Sequence, residues 1–373
     1  MKNRVFFIVA LCFINLVHGQ SKKFNLLIGT FISTSNCDGI YVYDFDSQTG
    51  DFNYKSKVAG ENPRYLAISR DGNNMYSVNT IRNGGISAFS FDSASGELKF
   101  LNRVNSGGDN PCYVSVDNKN KYIFIANYGN GILSAIPLKE DGSLSSDIQI
   151  IKQEGSSIDN TRQNEPHVHA TVLSPDDRYL LTPNLGTDKV CIYKVDATNI
   201  SQPLTPADPA FVSVKAGSGP RHITFHPNGK FAYLITELTG NIVAYDYMDG
   251  RLTKKQTITM LASGFEGKVG AADIHVSPDG KFLYGSNRGD ANDLVIYSIN
   301  EDGKLNYAGR QSTLGKTPRN FVIDPTGNFL LVANQDSNEI IIFKRDIKTG
   351  LLTPTGGKIQ VSRPVCMKFV VTN

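Results

Sequence analysis

The stretch "GPRHITFHPNGKFAYLITEL" (219–238) reads as a strand, a turn and a returning strand, and close variants of it recur along the chain. They are "NPRYLAISRDGNNMYSVN" (62–79), "NPCYVSVDNKNKYIFIAN" (110–127), "HVHATVLSPDDRYLLTPN" (167–184), "GAADIHVSPDGKFLYGSN" (270–287) and "TPRNFVIDPTGNFLLVAN" (317–334). In each, β-branched and aromatic residues flank a Gly, Asn, Asp or Pro turn, which is the pattern of a hairpin. A third strand follows, then an acidic or glycine turn such as "EDGKL" (301–305) or "IKTGLL" (347–352), then a fourth strand. With Pro63, Pro111, Val168, Pro220, Ala271, Pro318 and Pro364 taken as equivalent, successive units are 48, 57, 52, 51, 47 and 46 residues long. Four short strands repeating at that period define the blades of a propeller. The last anchor, "RPVCMKFVV" (363–371), supplies one strand, and "FNLLIGTFISTSNCDGIYVYDFDSQTGDFNYKS" (24–56) supplies the other three. The expected fold is all-β: a seven-bladed β-propeller with four antiparallel strands per blade, the last blade closed by both chain termini. Closure removes the open sheet edges. Trp is absent, which excludes the WD-repeat type.

A chain of 373 residues that is 40% hydrophobic and 20% charged has ample material for such a core. Its first residues, "MKNRVFFIVALCFINLVHGQ", carry Lys2 and Arg4, then an apolar run, then short residues up to Gly19. That reads as a signal peptide over 1–19, with the propeller over 20–373 and export to the periplasm or the extracellular space; an uncleaved anchor is the alternative. Losing Lys2 and Arg4 takes the formal charge from +3 to +1, so the body has no general attraction for nucleic acid or membrane. Cys37, Cys112, Cys191 and Cys366 then remain, at spacings that match no metal pattern and no disulfide scaffold. They are read as free thiols, with one disulfide left open. No cofactor or metal is called for, and oligomeric state is not legible.

A repeat separates scaffold from site without any alignment. The column closing the second strand holds Asn79, Asn127, Asn184, Thr236, Asn287 and Asn334, a recurrence that argues for a structural role. The next column varies: Thr80, Tyr128, Leu185, Glu237, Arg288 and Gln335. The column after the anchor reads Arg64, Cys112, His169, Arg221, Ala272, Arg319 and Val365. Antiparallel pairing puts the start of the first strand and the end of the second on one face, and the first strand is innermost. His169, Arg221, Glu237 and Arg288 therefore converge at one mouth of the channel. Asp273 and His275 follow on the inner strand of blade five, and Arg64, Tyr128, Arg319 and Gln335 complete the wall. His167 is expected to face away from the mouth, and His226 to lie in an outer turn. Taken singly, each group is better read as part of a structural ion-pair network. The convergence of four unlike groups points to a site.

These segments, with "HATVLSPDDRYLLTPNLGTDKVCIYKV", "AADIHVSPDGKFLYGSNR" and "TPRNFVIDPTGNFLLVANQ", resemble the lactonase family of seven-bladed propellers over essentially the whole mature chain. That family includes 6-phosphogluconolactonases of the propeller type and carboxy-muconate lactonising enzymes. The resemblance implies a site of one His, two Arg and one Glu, matching His169, Arg221, Arg288 and Glu237. It also implies hydrolysis of a small lactone by water. Arg221 and Arg288 would hold an anionic substituent and the developing oxyanion, and either Glu237 or His169 would serve as base. Export sits awkwardly with a phosphorylated metabolite, so an unphosphorylated lactone is one alternative. A non-catalytic propeller that binds a protein or glycan at the same mouth is the other.

Overall fold

Seven four-stranded antiparallel sheets are arranged around a channel in the computed structural model, which describes residues 23–32 and 38–372, Asp38 by its backbone alone. The leader assigned to 1–19 and Cys37 lie outside the described residues. Blades one to six each run through four consecutive strands from the inside outward. The seventh is composite: Pro364–Val371 is its innermost strand and pairs with Lys23–Thr30, followed by Asp38–Asp46 and Phe52–Ala59. Phe24 lies opposite Val371 and Gly29 opposite Cys366, so the two ends of the chain are hydrogen-bonded into one sheet. Among the described residues no helix is long and apolar enough to cross a membrane.

The core lies between blades. Second strands such as Tyr122–Asn127, Phe231–Thr236, Phe282–Asn287 and Phe329–Asn334 are buried along their whole length, because their two faces meet the neighbouring blades. Tyr233, Ile235 and Ile242 of blade four pack against Ile274, Leu283 and Tyr297 of blade five. Tyr284, Leu294 and Ile296 continue from blade five onto Phe321, Leu330 and Phe343 of blade six. Outer strands such as Arg251–Thr259 meet water on one side and read polar on alternate residues. The recurring asparagines are braces between blades. The side chain of Asn127 accepts from Ser106 Oγ (2.8 Å) and donates to Ser134 Oγ (3.0 Å). That of Asn334 donates to Thr313 O at 2.8 Å.

One backbone irregularity decides where the inner side chains go. The register slips by one residue between Pro220 and His222, between Pro318 and Asn320, and between Pro111 and Tyr113. The residue left over in each case is Arg221, Arg319 or Cys112, a β-bulge that re-aims side chains at the start of the inner strand. In blade five the slip spans Ala271 to Ile274 and frees Ala272 and Asp273.

Candidate active site

Pro220 lies opposite Thr236, and Glu237 N donates to Gly219 O at 2.7 Å, so Glu237 emerges at the same mouth as Arg221. Blade five repeats the arrangement, with Arg288 N donating to Gly270 O at 3.0 Å. In blade three, His169 N donates to Pro183 O at 2.9 Å. The four residues converge there. A cleft of about 350 Å³ is lined by Arg64, Asn110, Cys112, Tyr128, Arg162, His169, Glu237, Arg288 and Arg319, and buried Arg221 closes its inner end.

Glu237 is 7% exposed and is held by three guanidiniums. Its Oε2 accepts from Arg221 Nε at 2.9 Å and pairs with Arg288 Nη2 at 3.0 Å, and its Oε1 accepts from Arg162 Nη2 at 2.7 Å. Burial alone raises a carboxyl pKa. Here the positive charge of Arg288 and Arg221 wins, with help from Arg162, and holds Glu237 ionised well below the usual carboxylate range. His169 Nε2 stands 4.0 Å from Glu237 Oε2, too far for a hydrogen bond. Burial, then the nearby charges of Arg221 and His222, push its pKa well down, so the imidazole is neutral.

Arg221 and Arg288 are both partly engaged by neighbouring groups. Arg221 gives Nε to Glu237 and Nη1 to Ala272 O and His222 Nε2. Arg288 gives Nε to Gly270 O at 3.0 Å and Nη2 to Glu237, with Ala271 O at 3.4 Å. Of the N–H groups of these two side chains, only Arg221 Nη2 and Arg288 Nη1 carry no hydrogen bond among the described residues. One N–H edge of each remains, enough for a single oxyanion.

Other expected wall residues separate clearly. Arg64, Tyr128 and Arg319 line the cleft. Gln335 does not: its amide donates to Asp336 Oδ1 at 3.2 Å in a short 3₁₀ turn. Asp273 is 1% exposed and lies below the cleft. It is bonded to His222 Nδ1 (2.8 Å), His275 Nε2 (3.0 Å) and Ile274 N (3.0 Å), and also to Asn320 Nδ2 and Phe321 N, so no lone pair is free for a ligand. His275 packs on the Phe321 ring at 4.9 Å. Asp273 and His275 are thus struts rather than wall. His167 turns from the cleft as expected and stacks on the Tyr128 ring at 4.3 Å, backing that wall. His226, in its outer turn, meets Gly280 O at 2.8 Å.

Four residues at the mouth are missing from the sequence-based site: Asn110, His222, Arg162 and Cys112. His222 follows Arg221, and strict alternation sends it away from the channel; the bulge brings it back. Its Nε2 accepts from Arg221 at 3.1 Å while its Nδ1 donates to Asp273, and burial plus the Arg221 charge lower its pKa to about 4. Arg162 comes from the connection entering blade three, in the longest of the repeat units, and that extra length was its one visible signal. Cys112 places Sγ 3.9 Å from His169 Nδ1. Burial pushes this thiol up to about 12, so it is not a nucleophile at neutral pH. Cys112→Ala is expected to keep turnover within about threefold of wild type, against the loss of about 10³-fold or more that follows removal of a true nucleophile. Alkylation and steady-state rates check this. Cys191 and Cys366 are also free thiols. Among the described residues, no cluster of three His, Cys, Asp or Glu side chains is placed to hold a metal ion.

The mouth thus combines a neutral imidazole, an ionised carboxylate and paired guanidiniums, groups that can move a proton and face negative charge. The chain belongs to the lactonase family of seven-bladed β-propellers, whose model matches residues 25–369. It is 40% identical over 334 residues to a 6-phosphogluconolactonase of Formosa agariphila, covering 88% of this chain and 94% of that protein. It is 34% identical over 349 residues to the 6-phosphogluconolactonase of Bacillus subtilis, covering 92% and 97%. The structure of a periplasmic gluconolactonase from Pseudomonas aeruginosa superposes with a TM-score of 0.88 at 36% identity, over 94% of this chain and 100% of that one.

Proposed function

We propose that the protein is a lactone hydrolase of the 6-phosphogluconolactonase type, opening a sugar-acid lactone by direct attack of water. The observation that carries this reading is the arrangement of His169, Glu237, Arg221 and Arg288 at one channel mouth in a chain of this family. A water within hydrogen-bond reach of His169 Nε2 can donate one proton to it, which leaves a lone pair free for attack. As it attacks the lactone carbonyl, that proton passes to neutral His169, the general base. Glu237, held by the guanidiniums, orients the two arginines. The carbonyl oxygen gains negative charge opposite Arg221 Nη2 and Arg288 Nη1, preorganised donors in a site largely closed to solvent. When the tetrahedral adduct collapses, the imidazolium returns the proton to the departing ring oxygen, and the hydroxy acid leaves. No covalent enzyme intermediate is needed.

The leader-like N-terminus supports export, as does likeness to a periplasmic gluconolactonase. Hydrolysis of 6-phosphoglucono-lactone, glucono-lactone and a carboxy-muconolactone, each above its spontaneous rate in buffer, tests the reading. Turnover of at least one sugar lactone is expected. Folded protein that accelerates none of them overturns the enzyme assignment and leaves a propeller that binds.

A further inference from the structure

Five guanidiniums line the mouth, those of Arg64, Arg162, Arg221, Arg288 and Arg319, and the cleft holds a single carboxylate, Glu237. Three of the five are paired with that carboxylate. Arg64 and Arg319 are not: neither has an ion pair or a side-chain hydrogen bond among the described residues. The Arg64 guanidinium carbon stands over the Phe31 ring, 3.5 Å from its centroid, and its Nε is buried without an acceptor. Arg363 stacks on the same ring at 4.4 Å, so a further positive charge stands close by. Burial, together with that neighbour, draws the Arg64 pKa down to about 10, and burial plus the charges of Arg221, Arg288 and Arg64 depress Arg319 well below the ordinary arginine value. Two like charges left half-buried and unpaired in one cleft are each unfavourable, and together more so.

We infer that Arg64 and Arg319 form the seat for a dianionic substituent of the ligand, a phosphate monoester, on the wall facing Glu237 across the channel. This rests on the lactone-opening reading for the rest of the molecule bound, and divides the arginines into two pairs with different work. Arg221 and Arg288 belong to Glu237 and the reacting carbonyl. Arg64 and Arg319 come from blades one and six, on the far side of the ring, and their donors are uncommitted. A guanidinium presents a planar fork that matches a phosphate, and two forks with two uncompensated charges match a dianion better than a monoanion. The cleft volume of about 350 Å³ suits a ligand the size of a phosphorylated sugar lactone.

The test uses the full chain and inorganic phosphate as probe. Calorimetric titration at low ionic strength should show phosphate binding to wild type and to Glu237→Gln, weakened by about tenfold in Arg319→Met or Arg64→Met and by about 100-fold in the double variant. Phosphate should raise the Tm of wild type and leave that of the double variant unmoved. In phosphate-free buffer the double variant should melt no lower than wild type, because it has lost repulsive unpaired charge, and Arg319→Gln offers a milder change. For turnover, the double variant should lose about 100-fold in kcat/KM on the phosphorylated lactone and less than about threefold on glucono-lactone. Equal losses on both lactones, or undiminished phosphate binding, overturn the assignment while leaving the hydrolase reading intact. If no lactone is opened yet phosphate binding disappears with these arginines, the anion seat stands and the hydrolase reading falls.

Discussion

His169→Asn is expected to lower kcat for lactone opening by about 10²–10⁴-fold, with KM nearly unchanged. The residue touches the attacking water in the reading above and contributes little to ground-state binding. Its neutrality follows from burial beside Arg221 and His222, and so does a second expectation. A base with an ordinary imidazole pKa loses activity as pH falls through about 6.5. Here kcat/KM should stay flat through that region and decline only at lower pH. Rates above the spontaneous background between pH 5 and 8 distinguish the two shapes. An inflection near pH 6.5, or a variant that keeps more than a tenth of wild-type kcat, sinks the assignment of His169 as base. Glu237→Gln behaves differently. It slows the reaction and also leaves Arg221 and Arg288 buried beside a neutral amide, a loss of about 3–5 kcal/mol in stability.

Acid should unfold the protein in two stages. Burial and the Arg221 charge bring the pKa of folded His222 down to about 4, against an ordinary imidazole value of about 6.5. Between those values the unfolded chain takes up a proton that the folded site refuses. The stabilisation is therefore complete above pH 6.5 and is lost as pH falls toward 4, amounting to roughly 3 kcal/mol. His169 adds to this stage with the same sign. Glu237 and Asp273 act in the second. Burial opposes their charge, but Arg288 and Arg221 for Glu237, and His275 and His222 for Asp273, hold both well below their ordinary values. Their contribution is present above the unfolded carboxylate range and drains away as pH drops beneath it. Scanning calorimetry from pH 8 to 3 should show Tm falling already between pH 6.5 and 4, then more steeply. A Tm that holds level down to pH 4 contradicts the burial of these imidazoles as neutral groups.

The blade count, the composite seventh blade and the mouth carrying His169, Arg221, Glu237 and Arg288 were all legible in the sequence. Each follows from hairpin periodicity, and periodicity survives the averaging of many weak local preferences. What alternation cannot convey is a bulge. The extra residue at Arg221 places two consecutive side chains in the channel, so His222 has no place in the sequence-based site and the Asp273 strut reads as wall. Nor does a column of residue types show which guanidiniums are already spoken for. Arg221 and Arg319 occupy the same column, yet one is bonded to Glu237 and the other has no partner among the described residues, a difference set by the residue that follows the second strand of its own blade, Glu237 in blade four and Gln335 in blade six. Gln335 shows the reverse error: its column position was right, but a local turn bends its amide onto Asp336.

The composite seventh blade also orders the assembly of the two halves of the site in time. His169, Arg221, Glu237 and Arg288 come from blades three to five, consecutive along the chain, and a growing polypeptide can bring them together before its C-terminus is made. Arg64 and Arg319 sit on blades one and six, which become second neighbours only when Pro364–Val371 docks on Lys23–Thr30 between them. Affinity for a dianion is thus a reporter of ring completion: a molecule nicked or stalled before that last pairing presents its acid–base groups with nothing to anchor the far end of a substrate.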